Sequence, residues 1–240
     1  LFLVAGIVAH EAGTRAIDEL GGLWRELPFT AAVTVVTALG MAGVPPFNGF
    51  YSKELLFEAA YETAAHAGGI AWLYPAIAVF GSIFTFLYSI RFLMLFFGTK
   101  PEALGEVHSP PRSMIAPAVL LGLLAAIVGA APQLAIDTIV QAVFEGTAVG
   151  HGHEFTVGLP TEVKPAVLMS ATVLLVGAVT YPFYDRMHRG LREIARIVPP
   201  LRVNWWYDGA VFGLNRVSNH VERYVQNGLI RTYATWVLLG

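Results

Sequence analysis

Residues 114–131 of this sequence run without a single charge, and they are not alone. Segments 28–44 and 165–184 are also uncharged, and 72–98 carries only Arg91, close enough to its end to reach polar surroundings. A helix rises about 1.5 Å per residue, so roughly 20 such residues cross a hydrocarbon core about 30 Å thick. Composition agrees: 55% of the chain is apolar and 13% charged, against about 25% charged in an ordinary soluble domain. Too few charges remain to cover a water-facing surface. The expected fold class is therefore an all-α polytopic membrane protein, a transmembrane helix bundle. High hydrophobicity excludes disorder. A net charge of −2 gives no reason to expect a nucleic-acid partner. The absence of cysteine removes disulfide frameworks, thiolate metal sites and cysteine catalysis together.

The chain starts and stops in apolar runs, with no initiator Met or basic leader, and reads as an internal piece of a longer chain. Residues 1–98 are expected to hold the end of one span, a broken helix over 28–65 and a span over 72–98. Residues 99–184 add spans at 114–131 and 165–184. An interfacial helix over 134–145 carries Asp137, Gln141 and Glu145 as a polar stripe at i, i+4, i+8. Residues 185–228 form a basic amphipathic region, with Met187, Leu191, Ile194 and Val198 on one face and arginines on the other; residues 229–240 start the next span. Tyr181 and Tyr184 suit an interface at the end of 165–184.

Loop charge sets orientation. Arg15 and Arg25 precede the span at 28, Lys100 and Arg112 separate 72–98 from 114–131, and Arg186, Arg189, Arg192, Arg196 and Arg202 follow 165–184. Between them, 64–70 has no Lys or Arg, and 145–164 has only Lys164 against three acids. By the positive-inside rule, 28–65 runs outward, 72–98 returns, 114–131 goes out and 165–184 comes back.

Chemistry concentrates in Gly43-Val44-Pro45-Pro46-Phe47-Asn48-Gly49-Phe50-Tyr51-Ser52-Lys53-Glu54. Pro45 and Pro46 remove two amide donors and clash with the preceding turn, so no helix runs smoothly through them, and Gly49 adds freedom beside Asn48. At membrane depth the freed carbonyls need protein or water partners, which places such a break inside a bundle or along a wet cavity. Transporters put broken helices at ion sites for this reason. Lys53 lies just past the break, where a lysine costs about 2.5–3.5 kcal/mol on insertion scales. Burial and a neighbouring carboxylate pull a lysine's proton affinity in opposite directions, so such a residue is able to gain and lose a proton during turnover. Glu54, Glu58, Glu62 and His66 follow at i+4 spacing as one stripe, the ladder that a proton or cation path requires. The alternatives are an ordinary buried Lys53–Glu54 ion pair and an ordinary solvated face toward the helix end.

His151, His153 and Glu154 sit in a Gly-rich outer loop without further ligands nearby, so no metal site is expected. His10-Glu11 follows the first span and reads as interfacial. Arg91 reads as a snorkelling anchor. No nucleophile–base pair, phosphate loop or cofactor fingerprint occurs; the chain is read as a transporter subunit rather than an enzyme, with no cofactor.

Three stretches resemble the A subunit of Mrp-type multisubunit cation/proton antiporters, relatives of the antiporter-like subunits of respiratory complex I. They are His10-Glu11-Ala12-Gly13-Thr14-Arg15, Met41-Ala42-Gly43-Val44-Pro45-Pro46-Phe47-Asn48-Gly49-Phe50, and Ser52-Lys53-Glu54 with Phe57-Glu58. Tyr207-Asp208 and Gln226-Asn227-Gly228-Leu229-Ile230-Arg231 also resemble it. The resemblance implies that 28–65 is the broken helix of a second inverted repeat, with Lys53 as its proton-carrying lysine and Glu54 as partner. It implies that 185–226 resembles a lateral helix on the cytoplasmic side that straps neighbouring bundles. Implied partners are other integral membrane subunits, lipid, protons and Na+ or another monovalent cation, in the plasma or inner membrane.

Three functions compete. One is proton uptake driving Na+ export within a multisubunit antiporter. The second is a proton-pumping subunit of a complex I or membrane-bound hydrogenase type redox complex. The third is a structural scaffold in which Lys53 only pairs with Glu54.

Overall fold

A computed structural model of the chain describes residues 1–102, 104–137, 158–160, 162–225 and 237. Those residues are helical with connecting turns, and no strand occurs among them. The chain divides into two compact units, Leu1–Pro182 and Phe183–Gly240.

In the first unit, α1 (Phe2–Ala12) is followed by a short 3-10 turn and then α2 (Pro28–Ala42) and α3 (Asn48–Ala67). Next come α4 (Leu73–Leu93), extended at both ends by 3-10 turns, α5 (Arg112–Ala130), the single turn α6 (Pro132–Ala135) and α7 (Pro165–Thr180). Prolines open α2, α6 and α7, where a missing amide costs no helical bond. Three helical stretches among the described residues are long and apolar enough to cross a membrane: Gly69–Phe96, Arg112–Ala130 and one within Pro165–Ile197. Their outer faces carry exposed Phe80 and Phe84 on α4, Leu120, Leu124 and Ile127 on α5, and Leu168, Leu175 and Val179 on α7. In water such surface would aggregate; in hydrocarbon it is the solvated face.

The core has two centres, and α2 joins them. Near its start, Leu27, Ala31 and Val33 pack with Val4, Ile7, Val8, Leu23, Leu95 and Phe96. At its end, Ala42 packs with Phe57, Phe86, Ala166 and Val173. Helix α2 lies against α4 and α5, and α7 against α3 and α4. Close approach depends on small residues, as is usual between membrane helices. A Cβ on Gly122 would touch Val33 Cγ1 at 3.1 Å, and one on Gly177 would collide with the Phe86 ring. The segment before α2 and the one after α4 meet at one end of the bundle. The amides of Gly22, Leu23 and Trp24 donate to the carbonyls of Phe97, Leu95 and Phe96. Trp24 stacks on Phe97, Lys100 pairs with Glu26 at 3.1 Å and Arg91 with Asp18 at 3.5 Å. Arg91, expected as a snorkelling anchor, thus has an acidic partner.

In the second unit, α8 (Tyr184–Ile197) and α9 (Val203–Val225) are separated by a 3-10 turn over Pro199–Leu201. Helix α8 presents Leu191, Ile194 and Ile197 as exposed apolar side chains, and its arginines are exposed too. Of the interfacial helix expected over 134–145, the described part ends at Asp137; its remainder, the His151-Gly152-His153-Glu154 cluster and the span expected from 229 lie outside the described residues, Val237 excepted.

Candidate functional site

The interruption between α2 and α3 is built by a specific cap. Gly43 takes φ 80°, the left-handed region, and ends α2. Its amide donates to the Gly40 carbonyl and that of Val44 to the Leu39 carbonyl, both at 3.0 Å. This paired pattern is a Schellman motif, and it satisfies two carbonyls that the end of α2 leaves free. The chain then passes Pro45 and Pro46, joined by a cis peptide, and restarts after Phe47, whose backbone is extended.

The two helix ends meet almost backbone to backbone. A Cβ on Gly49 would collide with the Gly40 carbonyl oxygen, and one on Gly40 would lie 2.8 Å from Asn48 Oδ1. From the other side α5 supplies Gly129, where a Cβ would sit 3.0 Å from both the Pro46 carbonyl oxygen and the Asn48 amide nitrogen. Glycines on three elements therefore hold the break closed.

Lys53 reaches back across it. Side chains on a helix tilt toward its N-terminus, and Lys53 lies in the second turn of α3. Its Nζ donates to the Ala42 carbonyl oxygen at 3.1 Å. A Cβ on Gly43 would stand 2.7 Å from Lys53 Cδ, so the lysine stem lies directly over that glycine. The C-terminal end of a helix carries roughly half a negative charge on its free carbonyls. The ammonium thus donates its hydrogen bond to the negative end of α2, and among the described residues Lys53 and Glu54 form no ion pair. Adjacent helical residues point about 100° apart, so Glu54 does not face the Lys53 ammonium.

The rest of the stripe climbs from partial burial to exposure. Glu54 and Glu58 are half-buried, while Glu62 and His66 are exposed. His66 Nδ1 donates to the backbone carbonyl of Glu62 at 2.8 Å, a bond within the helix rather than a link between the two side chains. Glu58 Oε1 accepts from Lys164 Nζ at 3.5 Å, and Lys164 acts electrostatically on Glu54 as well. Lys164 immediately precedes α7, so this contact ties the start of α7 to the middle of α3. The sequence offers one hint of it, a lone cation in an otherwise acidic segment. Gly40 and Gly129 give no such signal, because only the fold brings them to the break.

At the far end of the unit, Glu11 is buried, its side chain 5% exposed. The neighbouring His10 side chain is 68% exposed, whereas the face of α1 that carries Glu11 packs into the core.

The chain has relatives among known proteins. The family described as NADH:quinone oxidoreductase/Mrp antiporter, TM, matches residues 1–85. The chain is 32% identical to the Na(+)/H(+) antiporter subunit A1 of Staphylococcus aureus strain JH9, over 100% of this chain and 31% of that protein. The corresponding protein of strain Newman gives the same identity and coverage. The chain therefore spans about a third of the length of the curated relatives it matches. Among solved structures, the Mrp complex from Dietzia sp. DQ12-45-1b matches with a TM-score of 0.65 and 32% identity, over 99% of this chain and 25% of that one.

Proposed function

We propose, from a likeness along the whole chain to a Na(+)/H(+) antiporter subunit A1 and to a chain of an Mrp complex, that this protein is part of a multisubunit monovalent cation/proton antiporter of the cell membrane. It carries protons along Lys53, Glu54, Glu58, Glu62 and His66 beside the broken helix, and their inward flow drives export of Na+. Other integral membrane subunits complete the complex, and the amphipathic region at 185–228 straps them on the cytoplasmic side.

The observation that supports this most is the Lys53 ammonium on the Ala42 carbonyl. A cation held by a helix end rather than by a fixed carboxylate is not locked in an ion pair, so it is able to release and regain its proton as the charge of the neighbouring stripe changes. Lys164 at Glu58 supplies a competing cation at the outer end.

The test is Lys53→Ala in the complete complex, assayed in everted membrane vesicles with a pH-sensitive dye. Sodium-driven proton movement is lost while the other subunits still co-purify. Undiminished transport by an assembled variant would remove Lys53 from the path.

The matching family also takes in NADH:quinone oxidoreductases, which keeps a redox-driven proton pump as the second reading. Flavin or iron–sulfur subunits in the purified complex would establish it; their absence, with antiport present, supports the first.

A further inference from the structure

Among the described residues Glu11 is the only carboxylate that is buried. It stands in the last turn of α1, on the face that carries Val4, Ile7 and Val8 into the core. A helix C-terminus disfavours negative charge, and so does burial. Among the described residues one side chain bonds it: His10, whose Nδ1 lies 3.0 Å from Glu11 Oε1. The contrast within this pair is large, because the His10 side chain is 68% exposed against 5% for Glu11. His10 also lines a cavity of about 650 Å³ together with Thr14 and Arg15 from the following loop. Helix α4 contributes Phe92 to its wall, the 3-10 turn after it Leu95, and α5 Met114, none of them titratable; α2 carries no titratable group. Arg15 is the other charged residue on that wall, since Asp18 pairs with Arg91 and Glu19 accepts from the Thr14 hydroxyl.

A buried carboxylate bonded to an exposed imidazole that faces a cavity is a connection between the protein interior and water. We infer that His10 and Glu11 form the inner-side proton port of this subunit, the end at which transported protons leave. The inference rests on the antiport reading above and on the loop charges that put 10–27 inside. In the step, protonated Glu11 gives its proton to Nδ1 of neutral His10, leaving carboxylate and imidazolium. The imidazolium loses its Nε2 proton to cavity water, and proton exchange with that water restores the starting tautomer. An imidazole suits the task because its unperturbed proton affinity falls near neutral pH. Arg15 beside it favours loss of the proton to water over its retention.

The experiment uses the complete complex in everted vesicles, whose inner face is turned to the medium. His10→Ala is expected to lower maximal proton flux at least tenfold, with the apparent KM for Na+ unchanged. Imidazole added to the medium then restores flux in proportion to its concentration. His10→Gln, which keeps a hydrogen-bond donor for Glu11, shows the same loss and rescue and guards against a folding defect. Glu11→Gln loses flux without rescue by imidazole. Assembled His10 variants that run at the wild-type rate across the pH range, or whose loss imidazole does not restore, overturn the port. Lys53→Ala is measured alongside: inactive Lys53→Ala with unaffected His10 variants removes the port and leaves the antiport reading, whereas wild-type flux in both removes the reading itself.

Discussion

Lys53 and Ala42 are joined across the interruption between α2 and α3, the lysine Nζ donating to the alanine carbonyl at 3.1 Å. The glycine beneath that contact is what gives the lysine room. A Cβ on Gly43 would meet Lys53 Cδ at 2.7 Å and Nζ at 3.2 Å, and it would have to sit at φ 80°. Gly43→Ala is therefore expected to cost about 1–2 kcal/mol from the left-handed backbone alone and to push Lys53 off Ala42. Antiport falls although every titratable side chain is intact. Wild-type flux in Gly43→Ala would show that the Lys53 position is immaterial.

Gly49→Ala is expected to be more severe. Its Cβ would meet a backbone oxygen, that of Gly40, which has no rotamer through which to yield. The variant should fail to assemble, measured as loss of the subunit from the purified complex. Gly6 and Gly81 have nothing within 4 Å of where a Cβ would stand and serve as controls: alanine at either leaves assembly unchanged.

The Lys164–Glu58 pair separates stability from transport. Its side chains are 58% and 39% exposed, and ion pairs of that kind contribute about 0.2–1 kcal/mol. Lys164→Gln should thus change the melting of the complex little. The apparent KM for the exported cation should move several-fold, and less at high salt, since added ions screen the same charges. The exchanged double variant, Glu58→Lys with Lys164→Glu, is expected to lie nearer to wild type in stability than either single change. A KM identical to wild type in Lys164→Gln would confine the pair to a structural role.

Gly177 and Phe86 should behave as one unit. A Cβ on Gly177 would enter the Phe86 ring, so Gly177→Leu forces α4 and α7 apart and lowers thermal stability. Phe86→Ala opens a cavity and is also destabilising, by about 3–5 kcal/mol in a well-packed core. Combined, leucine occupies part of the space that the ring leaves, and the double variant is expected to be more stable than the sum of the two losses predicts. Strict additivity in a thermal-melt cycle would contradict the contact.

The all-helical membrane fold is legible in the sequence because hydrocarbon demands long uncharged runs, and those appear directly in the residue order. Paired prolines followed by Asn48 and Gly49 mark the break for an equally local reason. What joins across the break is not legible. The partner of Lys53 is a main-chain oxygen, which no side-chain pattern announces, and Glu54 lies nearer in sequence but points elsewhere. Lys164 reaches Glu58 over 106 positions of chain, a meeting set by how α7 packs on α3. Burial of Glu11 is hidden likewise, since its position near a helix end suggests water while the packing of its face puts it inside.

The near-contact of Gly40 with Gly49 has a mechanical consequence. With no side chain between them, the ends of α2 and α3 bear on one another like the two bones of a knuckle: they can pivot about the point of contact, but they cannot slide closer or be cushioned. If Lys53 changes charge as proposed, α3 would turn about this bearing, with a displacement that grows along the helix toward Glu58, Glu62 and His66.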